Sequence, residues 1–380
     1  MGRVDVNPKM MKWAREYAGY SGEYESLLPK YIKSHYLDWE KGTKKPTWNQ
    51  LMKVSSKYKV PTAFFFIDEY PIVEDYTEKL VNYRKIDVNV PNVESPSLLY
   101  NIRQVEFNRE TYMELCDDTN KKLITFKNFF FSKSNQIDFS RYIRSILDFN
   151  LDSQKELYSD SNHYSFLNHW KNLLNEKLGI LIFESQNVDI LEMRALCLYH
   201  DEIPIILLNG KDSVNGRIFS LFHELTHLIM HESAVCDIYL DHELEVFCNA
   251  VAGEFLVPSN DFKGELSGFS NYLGNSCLNK LANTYGVSKY VILRRLLDLG
   301  KIEQKDYDIK INEFMNNSVK YHSHGGNYLN NQIKYNGKQY LEVLLNAYDL
   351  GVITEFEFSQ IANIKQKFIP ELETKIFGEE

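Results

Sequence analysis

Apolar positions recur at helical spacing over most of this chain, and one short stretch departs from that rhythm. Residues 1–70 read as several short helices: one starting near Pro8 and running through MKWAREYAG, a second near 22–29, a third near 33–40, and WNQLMKVSSKYKV before Pro61. Gly42 and Pro46 punctuate them. Residues 71–160 are mostly helical and polar, with amphipathic runs near 97–116 and 137–149, and read as a connecting helical region. A helical pattern over 161–177 is followed by GILIFES, MRALCLYH and IPIILLN, three runs of strand character that predict a small sheet. Residues 215–231 then set Ile218, Leu221, Phe222, Leu225, Leu228 and Ile229 on one buried side of a helix. Further helices are expected over 242–256 and 276–298, and a last section begins at Gly325 and Gly326 and ends in two apolar helical patterns. There Tyr340, Leu341, Val343, Leu344 and Ala347 predict core or oligomer contacts. The pattern as a whole is that of an α+β fold, mainly helical, in four segments: 1–70, 71–160, 161–305 and 306–380.

Composition narrows the class without changing this outline. The 380 residues suffice for two or three domains, and 44% hydrophobic with 25% charged residues are ordinary globular values. The opening MGRVDVNPKMMKW holds no apolar run of signal-peptide length, and AFFFI at 63–67 and IPIILLN at 203–209 are far too short to cross a bilayer. A soluble chain with no membrane partner is expected. Cys116, Cys197, Cys236, Cys248 and Cys277 are odd in number and form no CxxC pair, which argues for the reducing cytoplasm over a disulfide framework or a cysteine zinc ribbon. Net charge of -9 argues against wholesale nucleic-acid coating. The first 70 residues nevertheless carry twelve Lys and Arg against eight Asp and Glu, a basic head on an acidic body that is compatible with local DNA contact.

The chemistry concentrates in His223-Glu224-Leu225-Thr226-His227. Histidines four residues apart on a helix project from nearly one face, about 6 Å apart along the axis, so two imidazoles can share one ion. A catalytic zinc takes three protein ligands and keeps a fourth position for water, whose pKa the metal lowers toward neutrality. Glu224, adjacent to the first ligand, is the candidate base for that water. The bland alternative is a pair of core histidines, but burying this polar stretch in an otherwise apolar helix is costly without a metal or partner to compensate it. For the third ligand, His231 follows His227 by only four residues, against six in metzincins. Glu245 on the next helix is the better candidate, with Glu243, His242 and Asp241 as competitors. Asn249, one turn after Glu245, could hydrogen-bond a ligand histidine and orient it.

These residues resemble the ImmA/IrrE metallopeptidases, in which HExxH is followed by a glutamate-bearing helix ending in a pattern like A-N-x-F-A-x-x-L-L-M-P. Here the counterpart is Cys248-Asn249-Ala250-Val251-Ala252-Gly253-Glu254-Phe255-Leu256-Val257-Pro258, with Cys248 and Val251 as departures. The resemblance covers roughly residues 165–300 and implies a zincin-like domain with His223, His227 and Glu245 as ligands and Glu224 as general base. It also implies action on repressor proteins, often in the control of mobile elements, stress responses or toxin systems. The head resembles an Xre-type helix-turn-helix through Ala14-Arg15-Glu16, Gly19, Trp39-Glu40-Lys41-Gly42, Pro46-Thr47, Leu51 and the closing Pro61-Phe64-Phe65-Phe66. That likeness would bring Lys33, Ser34, His35 and Tyr36 to the start of a recognition helix, with Lys44 as a further DNA contact. Glu25, at a usually apolar position, and Pro29, inside the preceding helix, depart from that pattern. The last section looks like the tail of Xre and ImmA/IrrE fusions, and His322 and His324 before it are read as solvent-facing.

Two functions compete. The first is a zinc endopeptidase, with manganese as an alternative metal, that cuts a repressor or antitoxin-type protein. The second is a non-catalytic regulator or antitoxin that binds DNA and a toxin partner, with the metal domain structural or sensory. The carboxylate of Glu224 favours chemistry, because a purely structural zinc needs no such base.

Overall fold

The computed structural model describes residues 2–71, 80–83, 95–132, 135–230, 242–316 and 327–378, which divide into two compact units. The first comprises residues up to 71 with 95–106 and 186–188; the second holds the remainder.

In the first unit, α1 (Pro8–Tyr17) starts where the Asn7 side chain accepts from the Lys9 amide, with Pro8 in the first turn, where a missing N–H costs nothing. The segment expected as a second helix is instead a 3-10 turn over Gly22–Leu27. Pro29 explains the difference, because it holds Leu28 extended and ends the run. The expected third helix is also broken, into α2 (Lys30–Lys33) and α3 (Tyr36–Glu40), with Ser34 and His35 between them. Next comes α4 (Trp48–Tyr58), which opens on a reciprocal Thr47–Gln50 capping box and closes on Lys59 in the left-handed region. Ala14, Ile32, Trp39, Leu51, Val54 and Phe65 form its core. Glu25 has an electrostatic reason to be there: the buried Arg15 guanidinium reaches it at 3.4 Å, binds Glu40 at 2.7 Å and donates to the Tyr20 carbonyl at 2.7 Å.

The second unit is built on a four-stranded sheet in the order β1-β3-β4-β2, formed by β1 (Leu80–Tyr83), β2 (Leu181–Ser185), β3 (Ala195–Leu198) and β4 (Ile205–Asn209). β2 runs parallel to β4, while β3 is antiparallel to β4 and to β1. Every residue of β2, β3 and β4 is buried, which is why these strands read as continuous apolar runs. β1 was not expected, since LVNY sits in a polar stretch.

Helices α5 (Pro96–Asp118), α6 (Gln136–Leu147), α7 (Leu151–Asp160) and α8 (His163–Leu178) precede β2. After β4 come α9 (Val214–Met230), α10 (His242–Leu256), α11 (Ser259–Leu266), α12 (Asn275–Tyr285), α13 (Lys289–Asp298) and α14 (Gln304–Asn316). One core gathers Phe139 and Ile143 of α6, Trp170 and Leu174 of α8, Ile206 and Leu208 of β4, Leu221 and Leu225 of α9, and Val251 and Phe255 of α10. Residues read as a connector thus supply part of that core. The helix expected over 276–298 is two helices, because Gly286 takes φ 71° and ends α12 before Ser288 caps α13. The chain finishes with α15 (Tyr328–Asn336), α16 (Lys338–Asp349), α17 (Glu355–Ile361) and α18 (Ile369–Phe377). Tyr340, Leu341, Val343, Leu344 and Ala347 of α16 are buried within the unit. Among the described residues no helix is long and apolar enough to cross a membrane.

Candidate metal centre

The start of α9 is fixed by its own sequence: Asp212 Oδ1 accepts from the Ser213 amide at 2.7 Å, and Ser213 Oγ accepts from the Gly216 amide at 3.0 Å. A Cβ at 216 would stand only 2.6 Å from Asp212 Oδ1, so the turn closes on glycine. Further along, Phe222 stacks on Phe255 of α10 with centroids 4.1 Å apart and meets Trp170 of α8 edge-on at 4.9 Å. Those rings pin α9 between α8 and α10 and set the rotation at which its polar residues emerge.

His223 and His227 face each other with ring centroids 4.8 Å apart and Nε2 atoms 3.1 Å apart. Glu245, in the first turn of α10, places Oε2 at 3.2 Å from His223 Nε2 and Oε1 at 3.2 Å from His227 Nε2. Tetrahedral zinc with bonds near 2.0–2.1 Å requires neighbouring ligand atoms about 3.3 Å apart, so this triangle has the size the ion needs. The two imidazoles are 1% exposed at the side chain and Glu245 is 24% exposed, so solvent approaches from the α10 side.

Electrostatics agree with a site made for a cation. Burial raises the pKa of Glu245, but hydrogen bonds and charge from His223 and His227 outweigh it and hold the carboxyl well below the usual carboxylate range. Burial likewise pulls His227 down, yet its neighbours Cys248, Glu245 and Glu224 overcome this and hold it well above its ordinary value. Glu224 is fully buried next to His223 on α9. Cys197 of β3 lies beside it, and burial first, then the Glu224 charge, push that thiol well up, so it stays neutral. Cys248 of α10 hydrogen-bonds His227 and is also pushed up by burial.

Two sulfur contacts therefore flank the site, and the sequence reading had assigned neither. Cys248 follows Glu245 by three residues on one helix face, which was the available signal; Cys197 is brought in by sheet register alone. Asn249, expected to orient a ligand histidine, is half-buried and makes no side-chain hydrogen bond to one among the described residues. Cys248, one residue earlier, points at His227 in its place. Of the competing ligands, Glu243 is exposed. Asp241, His231, His322 and His324 lie outside the described residues, as does the His242 side chain.

The residues expected at DNA differ in exposure. Lys33 and Ser34 end α2 and are exposed, and His35 is half-buried at the start of α3. Lys44 is exposed and paired with Asp38 at 2.9 Å. Tyr36 departs from the expectation: it is 6% exposed, its hydroxyl donates to Glu25 at 3.1 Å, and its ring lies beneath the Arg15 guanidinium. Breaking the helix at Ser34–His35 turns it into the core.

Residues 175–297 match the family model of the IrrE N-terminal-like domain, a peptidase M78 family. This IrrE N-terminal-like stretch runs from the last turn of α8 into α13 and contains His223, Glu224, His227 and Glu245 together. A metallopeptidase family implies a divalent metal, and the three candidate ligand atoms lie within 4.8 Å of one another. The head lies outside the match. Among solved structures, a Mycobacterium tuberculosis transcriptional regulator aligns at 16% identity over 45% of this chain and 50% of its own, with a TM-score of 0.25. The chain thus spans half the length of that regulator. Curated protein sequences give no match.

Proposed function

We propose that this chain is a zinc-dependent endopeptidase of the cytoplasm that cuts a specific repressor- or antitoxin-type protein and so controls gene expression, with residues 1–70 contacting DNA. The observation that supports it best is the triangle of His223, His227 and Glu245 beside the buried carboxylate of Glu224. In this reading the three side chains would hold the ion, and Glu245 would offset part of its charge. A bound zinc would supply Lewis acidity, drawing a water's pKa toward neutrality. Glu224 accepts the water's proton and returns it to the leaving amine, with the neutral Cys197 thiol beside the carboxylate. Manganese would serve the same donors, since metal choice depends on supply as well as ligands.

The test compares wild type with Glu224→Gln. Metal analysis of both purified proteins should give equal zinc, because Glu224 is not a ligand. In cells, one partner protein should disappear only with wild type. If every protein persists equally in both strains while zinc content is unchanged, the peptidase reading fails and a regulator with a structural or sensory metal domain takes its place.

A further inference from the structure

Away from the metal centre, the second unit contains a cleft of about 1640 Å³, larger than the ~300–1,000 Å³ typical of small-molecule sites. Its chemistry is unlike the rest of the molecule. The described lining includes Lys171, Lys289, Lys334, Lys338 and Lys375, together with His163, His169 and seven asparagines, and contains no Asp or Glu. This occurs in a chain with 52 acidic and 43 basic residues. Lys171 is committed to Glu184 at 2.5 Å, and Lys338 has Glu342 at 3.8 Å. Among the described residues, Lys289, Lys334 and Lys375 have no carboxylate at salt-bridge distance.

Three further observations converge on the same space. Ser161 Oγ, His169 Nε2 and Asn215 Oδ1 are buried atoms without a hydrogen-bond partner, and all three residues line the cleft; buried polar atoms of this kind are ordinarily satisfied. The first turns of α8, α9, α13 and α16 all contribute lining residues, and those of α8, α9 and α13 are capped by Asn162, by Asp212 with Ser213, and by Ser288. On α16 no side chain caps that first turn. Finally, the lining carries rings as well as charge: Lys334 Nζ lies 4.7 Å from the Tyr164 ring centroid, and Tyr290 meets Phe314 edge-on at 5.2 Å.

We infer that this cleft binds a nucleotide, with its phosphates on Lys289, Lys334 and the uncapped first turn of α16 and its base among the tyrosine rings and asparagine amides. Polyanion binding follows from Lys289, Lys334 and Lys375 standing in a lining without Asp or Glu, and the aromatic and amide lining selects a base-bearing anion over bare phosphate. The site is separate from the metal triad, although both draw on α9: Asn215 lines the cleft and His223 begins the triad, eight residues later.

Calorimetric titration of the full chain with ATP, AMP, adenosine and tripolyphosphate, without added divalent metal, tests the assignment. ATP should bind saturably, tripolyphosphate at least several-fold more weakly, and adenosine weakest. Lys289→Ala with Lys334→Ala should weaken ATP at least tenfold while leaving the melting temperature within a few degrees. His223→Ala should bind ATP as wild type does, which keeps the result independent of the peptidase reading. No ATP binding at millimolar concentration, or unchanged affinity in the double lysine variant, would overturn the site. Equal affinity for tripolyphosphate and ATP would overturn its nucleotide character.

Discussion

Glu184 is 3% exposed and accepts from Lys171 Nζ at 2.5 Å and from Arg217 at 2.6 Å, one buried carboxylate serving two cations. Burial raises its pKa, but Lys171 and then Arg217 outweigh this and keep it below its ordinary 4.5. Lys171 is shifted down as well, because burial dominates and Arg217 and Lys334 repel it, so Glu184 does not fully compensate Lys171. Glu184→Gln should therefore cost about 3–5 kcal/mol in urea unfolding at neutral pH, since it strands two buried cations. A carboxyl whose folded pKa lies below its unfolded one stabilises fully above the unfolded value and stops doing so as pH falls through the folded one. The gap between wild type and Glu184→Gln should accordingly close in acid; a gap of equal size at pH 7 and pH 3 would rule out the charge as its origin. At the candidate metal centre, Cys248 lies beside His227. Cys248→Ala should lower zinc affinity by about 10–100-fold, the usual loss when a partner of a ligand histidine is removed. Competition with a chelating dye measures this, and affinity within twofold of wild type would reduce Cys248 to a packing role.

At the level of elements, Gly286 separates α12 from α13 at φ 71°, and a Cβ there would lie 2.7 Å from both Phe166 Cε1 and Tyr158 Cδ2. Gly286→Ala should destabilise the fold by about 1–3 kcal/mol through backbone strain, with the ring clash in addition. A thermal midpoint unchanged from wild type would contradict this. The same residue shows where the sequence stops being legible. The apolar period over 276–298 runs on in phase through the break, so periodicity alone predicts one helix; the glycine and the Ser288 cap end it. Similarly, Pro29 turns an apparent second helix of the head into a 3-10 turn, and a break at Ser34–His35 carries Tyr36 inward. By contrast, α8, α9 and α10 were readable from apolar residues at helical spacing, and β2, β3 and β4 as short apolar runs buried throughout. The site's donors on α9 could be placed from i,i+4 spacing, and Glu245 by its position on the following helix. Cys197 could not be, because it reaches Glu224 only through sheet packing.

On the scale of the whole molecule, the question is what a net +4 head does on a body that carries the remaining -13 of a total of -9. Phosphate contacts are visible in salt dependence: each one adds about 0.9 to the slope of log K against log salt on duplex DNA. The structure distinguishes two lysines that look equivalent in the sequence. Lys33 is exposed at the end of α2 with no carboxylate at salt-bridge distance among the described residues, whereas Lys44 is held by Asp38 at 2.9 Å, which cancels its charge locally. Gel shifts of the full chain on duplex DNA at several salt concentrations should therefore lose about one contact's slope in Lys33→Ala and much less in Lys44→Ala. The head also exposes large apolar side chains, among them Leu27, Tyr31, Leu37 and Trp48, at 45–58%. Patches of this kind serve protein contact better than a polyanion. If neither lysine changes the slope, the head is a protein-docking module, and on the proposed peptidase reading the target would be reached through the partner these residues hold.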